Sequence, residues 1–289
     1  MSDPQEQAPA WRAPALACDA HFHVFGDAST YPHRDPALRY APPQAPFEDY
    51  VGTVAPLGIE RFVFVQPSAY GRDNRCMLDA MAVLDAGACR GIVDIEDTAT
   101  DAELDRLDSL GVRGVRINVK PIMPPTPGFA QTLLPRIRRL DGRCRELGWQ
   151  LDFLTPGWLV QELMPTLKQL TSPFVLAHMG LFPASGGPHQ PGFRELLEVL
   201  RHGDGRCWVK LTGVYRTSTA DGFPDAAPMA QALIDAAPDR MIWGSDYPHL
   251  SFAEQVGTVQ LFNLLGQWAP TAELRRKIMV DNPAVLFGF

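Results

Sequence analysis

Two histidines separated by one residue lie in the stretch ACDAHFHVFG, near the start of the chain. Their side chains, at His21 and His23, should lie on the same face of a strand, because side chains alternate along a strand with a period of two. A third histidine, His178, follows the apolar run FVLA, and Asp246 follows the run MIWGS. Three imidazoles and one carboxylate suit a divalent cation or the activation of water. We therefore predict a catalytic site at these four residues.

Cationic side chains accompany the same apolar runs. Arg116 lies two residues before Asn118 in the otherwise apolar stretch GVRINV. A guanidinium is favourable there only if an anion meets it, and a substrate carboxylate is the natural partner. For the other cationic residues near these runs, charge solvated in a loop is an equally good interpretation. They are Arg72, Arg75, Arg113, Lys120, Lys210 and Arg216.

Elements that could position these residues recur along the chain, because short apolar runs alternate with segments of helical periodicity. Eight strands are predicted, at 17–23, 61–66, 91–95, 115–119, 150–154, 174–178, 207–211 and 241–244. Helical periodicity is clearest at 73–87, 101–111, 133–148, 192–205 and 225–238. The pattern predicts a single distorted (β/α)8 TIM barrel. A doubly wound open sheet is the competing fold, and the lack of a Gly-x-Gly-x-x-Gly motif after the first strand counts against it.

The barrel would occupy residues 17–289 as one domain, after a flexible N-terminal leader at residues 1–16, which is rich in Ala, Pro and Gln. Catalytic groups of such barrels collect at the carboxyl ends of the strands. The first, sixth and eighth strands bring the histidines and Asp246 there. The second strand adds Gln66 and the fourth adds Arg116.

The composition excludes several classes of protein. The 289 residues carry a net charge of −7 without a block of like charge, which argues against nucleic acid or an anionic membrane as the main partner. The five scattered cysteines form no Cys-x-x-Cys pair, so we expect neither a disulfide framework nor a structural zinc site, and a cytoplasmic location. No run approaches the ~18 apolar residues of a membrane helix. A monomer and a homo-oligomer both remain open.

The motifs, taken in order, resemble a known group. DAHFHVFG, RYAP, VQPSAYGRDNR, GVRGVRIN, HMG, VKLTGVYR, WGSDYPH and DNPAVLFGF are similar to motifs of the 2-pyrone-4,6-dicarboxylate hydrolase-like group of the amidohydrolase superfamily. The resemblance spans nearly everything after residue 16. It implies a distorted (β/α)8 barrel that hydrolyses a cyclic ester, a lactone or a pyrone.

The same resemblance implies roles for individual residues. It makes Asp246 the general base and places the three histidines around the ester carbonyl, where they would polarise it. Three further residues match positions that hold substrate carboxylates in the pyrone hydrolase, namely Tyr40, Arg116 and Arg216. The loop that borders the site would contribute Tyr70, Arg72 and Asn74. Together with Gln66, these are the predicted substrate-binding residues.

The chain also departs from the pyrone hydrolase pattern. Leu181 stands where that enzyme has an arginine after HMG, and Leu154 stands where it has a tyrosine. Pro121 and Ile122 replace a second arginine after the fourth strand. Each charged hydrogen bond lost from such a site costs about 1.5–3 kcal/mol. We therefore expect the substrate to be a lactone with one carboxylate, or a less charged one, rather than the pyrone dicarboxylate.

The metal requirement is open at this level. The fourth strand offers Arg116 and Asn118 rather than a bridging lysine or glutamate, and the fifth strand has no histidine, so two metals are not expected. One divalent ion, zinc or manganese, held by His21, His23, His178 and Asp246 is chemically reasonable. The resemblance covers metal-free and zinc-dependent relatives alike, so catalysis without a metal is an equal alternative.

Three other functions compete with lactone hydrolysis. A lactone isomerase could use the same base and polarising histidines. A zinc-dependent decarboxylase of the same superfamily shares the His-x-His pair, the sixth-strand histidine and the eighth-strand aspartate. A barrel that only binds or scaffolds is the third, and the clustering of polar groups at one rim argues against it, because such clustering adds no stability.

Overall fold

The strands of the protein pair in parallel in the order in which they occur along the chain. The computed structural model describes residues 8–34, 38, 40–119 and 124–289. The strands are β1 Cys18–Phe22, β2 Arg61–Val65, β3 Cys89–Val93, β4 Val112–Asn118, β5 Gln150–Leu154, β6 Phe174–Leu176, β7 Cys207–Leu211 and β8 Met241–Trp243. The helices are α1 Phe47–Val54, α2 Arg75–Met81, α3 Asp101–Ser109, α4 Phe129–Leu147, α5 Gly157–Leu167, α6 Pro191–His202, α7 Ala227–Ala236, α8 Thr258–Trp268, α9 Ala272–Arg276 and α10 Asn282–Phe287.

The first and last strands come together through backbone hydrogen bonds just beyond β8. The amide of Asp246 donates to the carbonyl of His21 at 2.8 Å, and the amide of His23 donates to the carbonyl of Tyr247 at 2.9 Å. The predicted (β/α)8 barrel is confirmed, and the strictly sequential strand order rules out a doubly wound sheet, in which the order reverses. The same two bonds hold the His-x-His segment against the segment that carries Asp246.

Alternation along the strands sorts apolar side chains into two cores. The larger core packs the outward faces of the strands against the helices. A smaller one fills the barrel with side chains from six strands and the last helix, namely Cys18, Ala20, Val63, Val65, Ile92, Val175, Trp208, Ile242 and Phe287. Polar residues continue these inward positions toward the carboxyl ends of the strands, so the apolar plug supports the site from below.

A bulge in β1 decides which way the histidines face. The register of β1 with β2 shifts between Asp19 and Phe22. Cys18 and Ala20 face the inner core, while Asp19 between them bonds outward to Tyr50 of α1. After the shift, Phe22 packs outward on Tyr50 and His21 lies beside the inward lysine of β7. One extra residue in a strand re-aims the side chains that follow it.

The predicted helices are found with shifted ends. Helix α3 begins after Thr100, whose side chain accepts a hydrogen bond from the amide of Glu103, as an N-cap does. Helix α4 extends four residues further toward the N-terminus than the periodicity predicts and ends at Leu147, where Gly148 with a φ of 69° caps it. Helices α1 to α7 lie between successive strands, and α8 to α10 follow β8.

The described part of the predicted leader, residues 8–16, packs against the barrel. The ring of Trp11 stacks on that of Phe262 in α8, with centroids 3.9 Å apart, and the amide of Ala13 donates to the carbonyl of Leu57 at 2.9 Å. The expectation of a flexible leader is therefore wrong for this part, because stacking and a backbone hydrogen bond hold it. The composition, rich in Ala and Pro, concealed the one large aromatic residue that anchors it.

Two further observations concern membrane-spanning helices and the cysteines. Among the described residues, no helix combines the length and the apolar character needed to cross a membrane. All five cysteines are buried and carry free thiols. Lys120, Pro121 and Ile122, which figured in the sequence predictions, lie outside the described residues.

Candidate active site

Asp246 lies at the centre of the site, three residues beyond the end of β8. Its side chain is 1% exposed, and its backbone has a φ of 57°, an uncommon conformation for a residue other than glycine. The oxygen Oδ2 accepts hydrogen bonds from the phenol of Tyr215 and from Nε of Arg216, the latter at 2.9 Å. The other oxygen, Oδ1, has no hydrogen-bond partner among the described residues. One oxygen of the carboxylate is thus held, while the other is buried without a hydrogen-bond partner among the described residues.

The three predicted histidines surround this carboxylate. Nε2 of His21 and Nε2 of His23 lie 3.5 and 3.6 Å from Oδ1 of Asp246, and Nε2 of His178 lies 3.8 Å from Oδ2. All four side chains are buried. The sequence prediction that these residues meet at one place is therefore confirmed as geometry.

The hydrogen bonds of His23 limit what it can do. Its Nδ1 lies 2.7 Å from the carbonyl oxygen of Val65, which can only accept, so Nδ1 carries the proton. Neutral His23 then presents a lone pair at Nε2. In this state the one N–H group of His23 is used by the backbone, so its Nε2 offers an acceptor rather than a donor.

Two glycines provide the space for the other histidines. A Cβ atom on Gly213 would lie 2.3 Å from Nδ1 of His178, and one on Gly244 would lie 2.6 Å from Cβ of His21. Gly213 also has a φ of 63°, which side chains rarely adopt. His178 itself has a φ of 53°. Such conformations persist only where the surroundings enforce them, and they cluster at functional sites.

A cavity opens between these groups. It has about 290 Å³ of empty space, including its opening to solvent. Its lining combines polar and apolar residues, namely His23, Pro67, Ser68, Arg116, Asn118, Leu154, His178, Arg216, Asp246 and Leu250. A larger groove of about 670 Å³ lies between α5, α6 and the first residues of β6 and β7, at the opposite end of the barrel. Catalysis in this fold takes place at the carboxyl ends of the strands, so the smaller cavity is the candidate site.

Buried charge around the cavity favours an anionic ligand. Three charged side chains line the cavity, namely the cationic Arg116 and Arg216 and the carboxylate of Asp246. The guanidinium of Arg116 donates from Nη1 to the carbonyl of Gln66 at 2.5 Å, while its Nε has no hydrogen-bond partner among the residues described. A positive charge in excess and an unused buried donor are both satisfied when an anion binds.

Burial and charge set the protonation states. Burial would raise the pKa of Asp246, but the charge of Arg216 and the neighbouring histidines bring the pKa well below its usual range. Burial lowers the pKa of His178 to about 3, and it lowers the pKa of His21 and of His23 as well. Near neutral pH the site therefore consists of an ionised carboxylate among neutral imidazoles.

Several predicted binding residues have structural partners instead. The side-chain amide of Gln66 donates to the carbonyls of Gly71 and Asp73, and the phenol of Tyr70 accepts from the amide of Gly26. Asn74 and Arg72 contact the loop after β3, where Asn74 donates to the carbonyl of Asp94 and Arg72 pairs with Asp94 and Glu96. None of these four side chains lines the cavity. Tyr40 is closer to it, because its phenol lies 3.1 Å from the hydroxyl of Ser68, which does line the cavity.

Two groups of supporting residues were missed or undervalued at the sequence level. Asp19 is fully buried and accepts hydrogen bonds from Tyr50 and from the amides of His21 and Ser245, which ties β1 to the segment after β8. Lys210 forms an ion pair with Asp152 inside the barrel. The signal for the first was an aspartate within an apolar strand, and for the second a lysine flanked by WV and L.

The spacing of the buried groups would accommodate one cation. His21, His178 and Asp246 can each offer one ligand atom, and these atoms lie within 4.8 Å of one another. Nε2 of His21, Nδ1 of His178 and Oδ1 of Asp246 have no hydrogen-bond partner among the described residues. By distance and donor type the cluster would take a single divalent ion such as zinc.

Fold and site together define an enzyme-type (β/α)8 barrel with its reactive groups at the carboxyl ends of the strands. A sequence profile of the amidohydrolase family matches residues 18–289. The chain belongs to this family, and the resemblance seen in its motifs is confirmed.

Several known proteins are similar to this chain over nearly its whole length. The 4-sulfomuconolactone hydrolase of Hydrogenophaga intermedia is 37% identical over 279 residues, which cover 95% of this chain and 89% of that one. The 2-pyrone-4,6-dicarboxylate hydrolase of Comamonas testosteroni is 32% identical over 290 residues, covering 96% and 92%. A putative 2-pyrone-4,6-dicarboxylic acid hydrolase from Pseudomonas putida has a crystal structure that superposes with a TM-score of 0.82 at 32% identity, covering 95% and 98%.

Proposed function

We propose that the protein hydrolyses a lactone that carries one anionic group. The observation that carries this proposal is Oδ1 of Asp246, a buried oxygen that no described residue hydrogen-bonds, beside the two histidines of the His-x-His pair. Asp246 also lines the same cavity as Arg116. Relatives that hydrolyse lactones and pyrones align over nearly the whole chain, which supports the same reaction here.

In the proposed reaction, Asp246 takes a proton from water through Oδ1 while the water oxygen attacks the ester carbonyl carbon. The lone pair on Nε2 of His23 accepts the second hydrogen of the same water, which leaves the oxygen lone pairs facing the substrate. Arg216 and Tyr215 hold the other carboxylate oxygen, so the base keeps one orientation.

The carbonyl oxygen becomes negatively charged as the water adds. His21 and His178 donate hydrogen bonds to it, as the donors of an oxyanion hole do. The bond between the carbonyl carbon and the ring oxygen then breaks, and the proton held by Asp246 passes to the leaving oxygen. The product is the open-chain acid, with one water consumed for each ring opened.

A divalent ion bound at the His21, His178 and Asp246 cluster would supply a Lewis acid toward the carbonyl. In the proposed reaction, the side chains perform every step described above without a metal ion. Asp246 is already ionised near neutral pH, and the imidazoles are already neutral.

The cavity wall favours a substrate with few charges. Leu154 lines the cavity and packs with Ala177 and Leu181 in a small apolar cluster. Leu154 stands where the resemblance implies a tyrosine in the pyrone hydrolase, and Leu181 stands where it implies an arginine. One side of the substrate therefore meets hydrocarbon while Arg116 and Arg216 line another side of the same cavity.

A substrate panel tests the proposal. Purified protein is assayed with lactones bearing one carboxylate or one sulfonate, with uncharged lactones and with 2-pyrone-4,6-dicarboxylate, both with added zinc or manganese and with chelator. Asp246→Asn is the blank, and NMR of the products separates ring opening from isomerisation, while carbon dioxide release would reveal a decarboxylase. We expect the singly charged lactones to be opened fastest. Activity in Asp246→Asn near the wild-type value, or no turnover of any lactone, would contradict the proposal.

A further inference from the structure

Lys210 is a fully buried cation that does not line the cavity. Its Nζ lies 2.6 Å from Oδ2 of Asp152 and 3.2 Å from Nδ1 of His21. These three residues come from β7, β5 and β1, whose inward side chains meet in the middle of the barrel. Burying an ammonium group costs free energy even when it is paired, so its contact with a histidine of the site needs a reason beyond stability.

The contact determines where His21 carries its proton. An ammonium group has three hydrogens to donate and no lone pair to accept with. Its ion pair with Asp152 keeps Lys210 in that form. Nδ1 of His21 must therefore accept, and a neutral ring that accepts at Nδ1 carries its hydrogen at Nε2. That Nε2 has no hydrogen-bond partner among the described residues and lies beside Asp246, next to His178.

His23 has the opposite arrangement. The carbonyl oxygen of Val65 requires a hydrogen on Nδ1, which leaves the lone pair on Nε2. The two imidazoles of the His-x-His pair, with centroids 5.0 Å apart, thus present a donor and an acceptor to the same carboxylate oxygen. The two histidines differ in chemistry because Lys210 contacts Nδ1 of His21, whereas a backbone carbonyl contacts Nδ1 of His23.

We propose that Lys210 is a positioning residue that fixes the proton of His21 on Nε2. His21 then serves as a hydrogen-bond donor to the substrate carbonyl, and this part of the inference rests on the proposed function. The same proton blocks the nitrogen that a metal ion would use, because a ligating imidazole needs a lone pair at that atom and normally donates its other N–H to an acceptor. The distances suit an ion, but the hydrogen bonding at His21 does not.

The tautomers can be read directly from the protein without substrate or metal. Long-range ¹H–¹⁵N correlation spectra of uniformly ¹⁵N-labelled protein distinguish the protonated from the unprotonated ring nitrogen, and His21→Gln and His23→Gln supply the assignments. We expect hydrogen on Nε2 in His21 and on Nδ1 in His23. A hydrogen on Nδ1 of His21 would overturn the inference. The spectra do not depend on turnover, so failure of every lactone in the panel leaves this result intact.

Removing the ammonium group tests its role. The double variant Lys210→Met/Asp152→Leu exchanges the buried ion pair for apolar side chains of similar size, which avoids leaving an unpaired charge. Lys210→Arg keeps a cationic donor and is the matched control. Zinc binding is measured by equilibrium dialysis with elemental analysis. We expect the double variant to bind zinc at least about tenfold more tightly than the wild type, with the Nε2 hydrogen signal of His21 lost, because about 1.4 kcal/mol of opposing tautomer preference corresponds to that factor.

Two outcomes would overturn the assignment to Lys210. One is a wild-type protein that binds zinc as tightly as the double variant does and loses it in His21→Gln. The other is an unchanged His21 tautomer in a double variant whose circular dichroism shows normal folding. If that variant fails to fold, the wild-type spectra and Lys210→Arg still decide, since the control must keep the wild-type tautomer.

Discussion

Arg216 binds Asp246 through two nitrogens, because its Nε and Nη2 both lie 2.9 Å from the same oxygen, Oδ2. The guanidinium also lies over the rings of Tyr215 and Phe252. The ion pair therefore has a fixed direction, and it leaves Oδ1 toward the histidines. Arg216 therefore both orients the carboxylate of Asp246 and lowers its pKa.

Replacing Arg216 by Gln should make the pH–rate profile more sensitive to acid. The guanidinium charge lowers the pKa of Asp246, so the pKa rises when that charge is removed, and the base is then protonated at a higher pH. We expect the acid limb of kcat/KM to move upward by at least one pH unit. The measurement is a profile from the lowest pH at which both proteins stay folded up to pH 8, because the pKa of Asp246 in the wild type lies well below 3.8. Tyr215→Phe, which removes a neutral hydrogen bond to the same oxygen, is the control and should shift it less; equal profiles in wild type and Arg216→Gln would refute this account.

Replacing Arg116 by Gln should weaken binding of the anionic substrate. A charged hydrogen bond of this kind is worth about 1.5–3 kcal/mol, which corresponds to a rise in KM of about 10- to 150-fold. The methyl ester of the same lactone lacks the anion and is the control substrate, for which KM should change little. A comparable loss with both substrates would show that Arg116 supports the barrel rather than the substrate.

Replacing Gly213 by Ala should displace His178. The new Cβ would lie 2.3 Å from Nδ1 of that ring, in addition to the cost of a φ of 63°. Gly222 has a φ of 71° with open space around it, so Gly222→Ala bears the backbone cost of about 1–2 kcal/mol alone. We expect both variants to lose thermal stability and only Gly213→Ala to lose at least about tenfold in kcat. The comparison needs thermal melts and steady-state kinetics of both proteins, and full kcat in folded Gly213→Ala would contradict the proposed role of His178.

His249 should make the protein less stable in mild acid. Burial lowers its pKa from 6.5 to about 4, so the unfolded chain takes up a proton below pH 6.5 that the folded protein refuses until about pH 4. At pH 5 this amounts to about 2 kcal/mol. Asp19 acts in the opposite direction, because burial raises its pKa to about 6 and folding therefore favours its protonated form as pH falls from about 6.

The variant His249→Gln isolates this contribution. Free energies of unfolding in urea are compared at pH 7 and pH 5 for both proteins. We expect the loss between the two pH values to be smaller in the variant by roughly 2 kcal/mol. An equal loss in both proteins would mean that His249 titrates alike in the folded and unfolded states.

Much of the fold was predictable from local pattern. Each of the eight predicted strands is present, and those at Gln150–Leu154 and Cys207–Leu211 have the predicted ends. The apolar runs and the helical periodicity are visible in the sequence because each strand or helix buries its apolar side chains against the core. The ends of helices and the packed residues 8–16 were less predictable, because single contacts such as the stacking of Trp11 on Phe262 decide them.

The candidate site likewise has features that the sequence predicts and features that depend on the tertiary structure. The sequence by itself determined which side chains reach the carboxyl ends of the strands, because parallel strands of one barrel end at one rim. His21, His23, His178 and Asp246 meet there for that reason. Sequence order also placed the GRDN loop near the rim, but its side chains turn to backbone carbonyls and carboxylates of their own neighbourhood.

Only the tertiary structure decided what each histidine can do. The bulge after Asp19 turns His21 inward, and a lysine from the seventh strand then lies behind one ring while a backbone carbonyl from the second lies behind the other. Proton positions depend on partners that are 189 and 42 residues away along the chain. A motif states that two imidazoles are present, whereas their surroundings in space determine which one donates and which one accepts.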